Sequence, residues 1–365
     1  MHVLCLVASV LSSNPEPSRS WFDAQVKMAS GMRSQLTGVF HYTATSLERT
    51  DTSVLPRLRE EVWGKPEHPK RSLIKRLERV EKFGPEVRRQ TLWLMGDSAR
   101  LNREPLWPDS ADFFDVCTLP DSGWRLSPGQ AVLTGPMGSE PPGYQVVVPI
   151  GSAVNEILSF WGAGWAALGS FEGPHEFQSL EGGAWRASVS SDKGSLRTTT
   201  VLEGEYNPQT GHGRFISMRA TQEGSPAPGW VETASDWRFD AVLQRELAHQ
   251  VVVHFKGAPF RRLTLDRVEP LTRAEFDRIS RPPSLTGSDP IRGKYVFTQF
   301  SDLSGSDKEH TLINKDTGAI RGVIQERRTD PFAGKRSAWF TPAAWAAVAS
   351  ISAVLVYLRL ARRFA

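Results

Sequence analysis

Strand-like runs follow one another along most of this chain with few helical patterns between them, and that succession limits the fold more than any other feature. Residues 89–103 (RQTLWLMGDSARLNR) read as two strands around a turn at Gly96-Asp97-Ser98. Residues 144–150 (YQVVVPI) form a short β-rich run after a Gly- and Pro-heavy loop at 127–143. The runs 195–206, 213–222, 231–242, 250–255 and 262–268 continue the series at a spacing of roughly 8–20 residues. Parallel strands need long crossovers, so such spacing argues for an antiparallel meander. The expected class is mainly β (α+β): a curved antiparallel sheet or incomplete β-barrel with packing helices.

Four helices interrupt this pattern. At 21–36, Trp21, Ala24, Met28, Ala29, Met32 and Leu36 recur at three- and four-residue steps and paint one stripe. A strand over 39–47 follows Gly38. At 73–82, Leu73, Leu77 and Val80 form a stripe inside the basic stretch 65–89, which reads as a solvated surface helix rather than an anionic-surface patch. At 152–168, Val154, Ile157, Leu158, Trp161, Trp165 and Leu168 share a face, with Ser152 as N-cap; this helix is core, or a lid over an apolar cavity. At 271–279, Thr272 and Glu275 have capping-box spacing. The β-rich body is thus expected over 21–300, followed by a hairpin and juxtamembrane linker at 301–336.

Both ends of the chain bear on location. Residues 337–358 (SAWFTPAAWAAVASISAVLVYL) carry no charge and, at about 1.5 Å per residue, span roughly 33 Å as a helix, enough for the hydrocarbon core of a bilayer. Trp339, Phe340, Trp345 and Tyr357 lie toward its two ends, and basic residues bracket it. It reads as one C-terminal transmembrane helix, with 359–365 as a basic cytoplasmic tail. Residues 1–13 resemble the apolar core and cleavage zone of a signal peptide, without a basic leader. The body is therefore expected outside the cytoplasm, in the periplasm or extracellular space. The alternative is a tail-anchored chain with a cytoplasmic body.

Chemistry is sparse. Forty-four basic against 40 acidic residues give +4, and no aromatic residues interleave with the basic stretch as a single-strand platform needs, so no nucleic-acid partner is expected. Two cysteines without a CxxC pairing argue against a disulfide scaffold. His249 and His254 stand at odd separation on a strand and point to opposite faces. No metal-ligand pair, nucleotide-binding loop or nucleophile elbow occurs, and no cofactor is expected. Asp316-Thr317-Gly318-Ala319 matches the aspartic-protease tetrapeptide, but polar residues precede the aspartate and its neighbourhood matches the turn at 207–211. Glu172 and His175 in a Gly-Pro loop are the remaining candidates for an acid–base pair.

The order of helix, strand and meander, with the segment Trp93-x-x-Gly96-Asp97-x-x-Arg100, resembles the LolA/LolB family of lipoprotein carriers and the N-terminal domain of the periplasmic regulator RseB. The resemblance covers residues 21–268. It implies an incomplete antiparallel barrel closed by helices, with an apolar cavity that takes acyl chains. The soluble carriers lack a C-terminal span, so a tethered relative would be a sensor or fixed acceptor. The expected function is that of a membrane-anchored extracytoplasmic binding protein for a lipid, lipoprotein or other apolar envelope ligand, with Trp161, Trp165 and Trp93 as ligand-binding residues. An envelope hydrolase using Glu172 and His175, and a ligand-free structural anchor, are the alternatives.

Overall fold

The alternating strands assemble into a mainly β molecule. A computed structural model describes residues 17–326 apart from 49, 66, 105–106, 108–113, 128, 135–140, 194–195, 208–210, 225–228, 283–287, 290–292, 295–297, 304–307, 315–316 and 318. The first strands are β1 (Thr37–Ser46), β2 (Val87–Met95), β3 (Ser98–Arg103), β4 (Phe114–Thr118), β5 (Gly123–Ser127) and β6 (Gln130–Thr134). Next come β7 (Glu176–Ser179), β8 (Ala184–Lys193), β9 (Leu196–Asn207), β10 (His212–Gln222), β11 (Trp230–Asp240), β12 (Arg245–Phe255) and β13 (Ala258–Glu269). A small hairpin, β14 (Ser288–Asp289) and β15 (Gly293–Lys294), precedes β16 (Gln299–Leu303), β17 (Lys308–Ile313) and β18 (Ile320–Glu326).

All but the small hairpin join one open, curved sheet in the order β18-β17-β16-β6-β5-β4-β3-β2-β1-β13-β12-β11-β10-β9-β8-β7. β1 is the hub. It pairs with β2 on one side and with β13 on the other, so one arm runs forward through β6 and the other back to β7. Sequential strands pair antiparallel, as short connections require. The pairing of β6 with β16 is parallel, which the long connection between them permits.

The helices at Arg19–Gln35 and Pro141–Leu158 pack on the face of this sheet that carries the main core, and the one at Arg273–Ile279 packs on the other face. α1 (Arg19–Gln35) starts where the Ser18 hydroxyl accepts the Trp21 N–H at 3.2 Å, which satisfies one of the orphan donors of the first turn. It buries Phe22 and Val26, each worth about 1.5–3 kcal/mol on removal from water. α2 (Leu55–Val62) and α3 (Arg71–Phe83) make a side hairpin with a small core of their own, Leu55, Val62, Ile74 and Leu77. α4 (Pro141–Leu158) lies over β3–β5. α5 (Arg273–Ile279) starts in the expected capping box, with Thr272 and Glu275 bonding each other's backbone.

Two stretches depart from the expectations. Residues 144–150, read as a strand, belong to α4: Ile150, Val154 and Ile157 continue a helical period into the core, and prolines at its first two positions fit a helix start. The helix expected over 152–168 is the second half of α4 followed by two 3-10 turns, Ser159–Trp161 and Trp165–Phe171, broken at Gly162 and Gly164. Ser152 therefore lies inside a helix and is not its cap. The strands on either side of 207–211 and of 314–318 pair antiparallel, as read. Among the described residues, no helix is long and apolar enough to cross a membrane. The expected span at 337–358, the tail at 359–365 and the signal-like stretch at 1–13 lie outside the described residues.

Candidate functional site

The break after α4 is built by two glycines. The Ala163 N–H donates to the Phe215 carbonyl of β10 at 2.8 Å, which lays the chain directly on the sheet. A Cβ on Gly162 would stand 2.5 Å from the Phe215 Cβ, and one on Gly164 would stand 2.6 Å from Leu202 and Met218; their φ values are 142° and 73°. Only glycine fits such an approach at such angles. On this support the Trp161 and Trp165 rings turn inward and are fully buried. Trp161 meets Phe40 at 6.0 Å, Trp165 meets Phe215 edge-on at 5.0 Å, and Arg245 lies 5.6 and 5.2 Å over the two indoles. Burial pulls the Arg245 pKa down to about 10.

Beside this segment opens a cavity of about 380 Å³ between α4 and the β10–β13 arm. Its helix side is Asn155, Glu156, Ser159, Gly164 and Ala167; its sheet side is Met218, Trp230, Val253, Phe260 and Leu263, with Glu232 and Arg261. The walls are mostly apolar, as in sites that take apolar ligands. A strand meander with one covered face leaves such a space wherever its helix does not fill the curve.

Two carboxyl groups reach this cavity, and their surroundings differ. Glu156 is held on three sides: the Tyr42 hydroxyl donates to its Oε2 at 2.9 Å, Gln90 Nε2 donates to the same oxygen at 3.1 Å, and Arg261 Nη1 reaches Oε1 at 2.5 Å. Burial, followed by the nearby Glu156 charge, pushes the Tyr42 hydroxyl well above its ordinary pKa. Glu232 sits on β11 with its side chain buried, and its Oε1 has no hydrogen-bond partner. Ser159, the Gly164 N–H and Trp230 face its carboxyl group, yet burial outweighs them and raises its pKa.

Trp161 and Trp165 come together behind the cavity wall, with their rings in the core. Trp93 lies elsewhere. On β2 it alternates with the buried Leu92 and Leu94, so it occupies the opposite face of the sheet, 5.9 Å from the Arg100 guanidinium. Arg100 there makes a bidentate pair with Asp115, at 2.9 and 2.6 Å, and donates to the Ile279 carbonyl of α5 at 2.5 Å. The Trp93–Arg100 segment thus anchors α5.

Glu172 and His175 fasten α1. Glu172 Oε1 accepts from the Ser30 hydroxyl, and the His175 ring packs against Phe22 and Phe171 with Nε2 3.1 Å from Asp23, too poorly aligned for a hydrogen bond. Asp316 and Gly318 lie outside the described residues; Thr317 caps a turn through Asn314 and Ala319. Cys117 is buried, and burial pushes its thiol up. Among the described residues no three His, Cys, Asp or Glu side chains converge on a metal position.

Sequence reasoning passed over Glu232, Glu156 and Trp230. One signal existed. In β11, Glu232 has the same parity as Ala234, so a strand with Ala234 in the core also turns a carboxyl inward.

No model of a protein family matches this sequence, and no curated protein does. Among solved structures, a LolA superfamily protein from Nitrosomonas europaea is similar at a TM-score of 0.33 and 9% identity, over 71% of this chain and 96% of that one. At that distance no residue role carries across.

Proposed function

We propose that this chain binds a lipid, lipoprotein or other apolar envelope ligand in the cavity between α4 and the β10–β13 arm. The observation that carries the reading is the cavity itself: about 380 Å³, mostly apolar, walled by a glycine-broken segment and open at a rim that includes Ala166. Each methylene buried there contributes about 0.8 kcal/mol, so part of one acyl chain suffices for micromolar affinity after association costs. Trp161 and Trp165 act in this reading as the rigid backing of the wall. Trp93, on the other face, would meet a ligand only at a second surface.

The same proposal places the body outside the cytoplasm, held by a membrane helix at 337–358. The support is the length and lack of charge of that segment and the apolar run near residue 1. Removing the residues after 336 then releases the protein to the soluble fraction, and protease added to spheroplasts digests the body. Retention on membranes after truncation, or full protection of the body, would overturn the placement.

Binding is tested with a fluorescent acyl probe and with Ala166→Phe, which fills the cavity from its exposed rim and leaves the core untouched. The wild type should bind the probe, and the variant should lose at least tenfold in affinity at unchanged melting temperature. Equal binding by both would place the ligand elsewhere.

A further inference from the structure

We propose that Glu232 is the polar anchor of this cavity, its unpartnered oxygen hydrogen-bonding the carbonyl of an acyl ester or amide whose chain lies along the apolar walls. The inference rests on the reading that the cavity takes an apolar ligand, and it names the chemistry at the ligand's polar end.

Three observations lead there. Glu156 and Ser159, which share the cavity with Glu232, have partners within the protein. Glu156 is held by Arg261, Tyr42 and Gln90, and the Ser159 hydroxyl donates to the Asn155 carbonyl at 3.3 Å. Glu232 Oε1 alone among the cavity's carboxyl oxygens meets nothing, and a buried polar atom without a partner costs about 1–3 kcal/mol. Such a cost is recovered when a ligand supplies the missing partner.

The second observation is the absence of a cation opposite Glu232 on the neighbouring strands. Across the sheet it faces Met218 on β10 and Val253 on β12. From the helix side it meets Ser159 and the Gly164 N–H, and on its own strand Trp230. The charged groups that share the cavity, Glu156 and Arg261, are paired with each other at 2.5 Å. Burial, with no cation opposite, raises the pKa of this carboxyl above its ordinary value and so favours the protonated acid. In the neutral acid the proton belongs on the oxygen that accepts nothing, which makes Oε1 a donor in need of an acceptor.

The third observation is the chemistry of the walls. An uncharged carbonyl next to a methylene chain satisfies that donor and leaves no charge in an apolar space. A free carboxylate would bring an anion beside Glu156. An amine would require Glu232 to ionise where burial opposes it.

The experiment uses the full chain held in an amphipathic polymer. Methyl laurate, lauric acid and dodecylamine compete against a fluorescent acyl ester between pH 5 and pH 9, with the wild type, Glu232→Gln and Glu232→Leu. The ester should compete best, and its affinity for the wild type should fall about threefold to tenfold as pH rises and Oε1 loses its proton. Glu232→Gln keeps an N–H donor, so it should bind the ester at every pH with no such fall; the ion pair of Glu156 and Arg261 is unchanged in that variant and serves as the internal control. Glu232→Leu should lose about threefold to tenfold at pH 5 while its melting temperature certifies the fold.

Ester affinity that is equal in the wild type and Glu232→Leu overturns the anchor and leaves the apolar cavity standing. Dodecylamine competing best, with affinity rising with pH, overturns the carbonyl and makes Glu232 a counter-ion. Failure of the wild type to bind any acyl probe overturns the cavity reading itself, and the anchor with it.

Discussion

Two buried acidic side chains, Asp115 and Glu232, lie on opposite faces of one sheet and are treated in opposite ways. Asp115 on β4 is fully buried against Arg100. Both of its oxygens take a guanidinium N–H, Asn102 Nδ2 adds a third bond at 2.9 Å, and Trp124 lies 4.8 Å from the Arg100 guanidinium carbon. Glu232 on β11 lines the cavity with its side chain buried and one oxygen unused. A carboxylate whose lone pairs are consumed can hold α5 to β3 and β4 but offers nothing to a ligand. A carboxyl with an idle oxygen at a cavity contributes little to the fold and keeps its bonding capacity for something else.

That contrast breaks most sharply at Asp115. Replacing it by alanine strands the Arg100 charge in a dry interior, and the expected loss is about 3–5 kcal/mol in urea denaturation. The double variant Arg100→Met with Asp115→Leu should recover part of it, since it removes the stranded charge but leaves the Ile279 carbonyl and the Asn102 amide without these partners. A single-variant loss under about 1 kcal/mol would mean that the pair does not hold α5.

Trp161→Ala sharpens the same comparison on the cavity side. The ring is buried, so removing it should cost about 3–5 kcal/mol, as for a core aromatic residue. A much smaller loss together with a large change in acyl-probe binding would make the segment a mobile lid instead of a fixed wall. Gly164→Ala should cost roughly 1–3 kcal/mol, because its Cβ would press on Leu202 and Met218 at 2.6 Å and the φ of 73° opposes it. Met218 lines the cavity, so probe binding should fall as well. Gly169→Ala, with open space at its Cβ, is the control and should stay within about 0.5 kcal/mol.

The sequence made parts of this contrast readable and hid others for physical reasons. Strands β9 to β13 stand out because one face of each meets the core and alternation survives, and the Thr272–Glu275 box marks α5 outright. β3 and β4 are buried on both faces, which erases the alternation: Ala99, Arg100, Leu101 and Asn102 are all inside. The run 144–150 misleads because its valines favour a strand, whereas Ile150, Val154 and Ile157 gain more by packing as a helix. Arg100 is visible beside Trp93 and Gly96, but its reason for being there, Asp115, comes fifteen residues later on another strand. Glu232 looks like any surface glutamate until the register of β11 shows which side Ala234 takes.

The smallest effect is also the most diagnostic, and it is the pH dependence of stability in Glu232→Gln. The unfolded chain ionises this carboxyl near an ordinary pKa of about 4.3. Burial raises the folded value, so the folded state binds the proton more tightly than the unfolded state. The stability this group contributes is therefore fully present below about pH 4.3 and is lost as pH rises through the folded pKa. Glutamine cannot ionise, so the variant should gain on the wild type steadily from pH 4 upward and then hold a constant advantage once Glu232 is ionised. Denaturation series at several pH values would read this directly, and a flat difference from pH 4 to 8 would mean that the carboxyl is not held neutral. An acyl ester that takes the Oε1 proton as its donor binds the neutral form, so adding methyl laurate should move the loss of wild-type stability to higher pH. In Glu232→Gln the same ester should stabilise equally at every pH, because the donor that meets it there does not titrate.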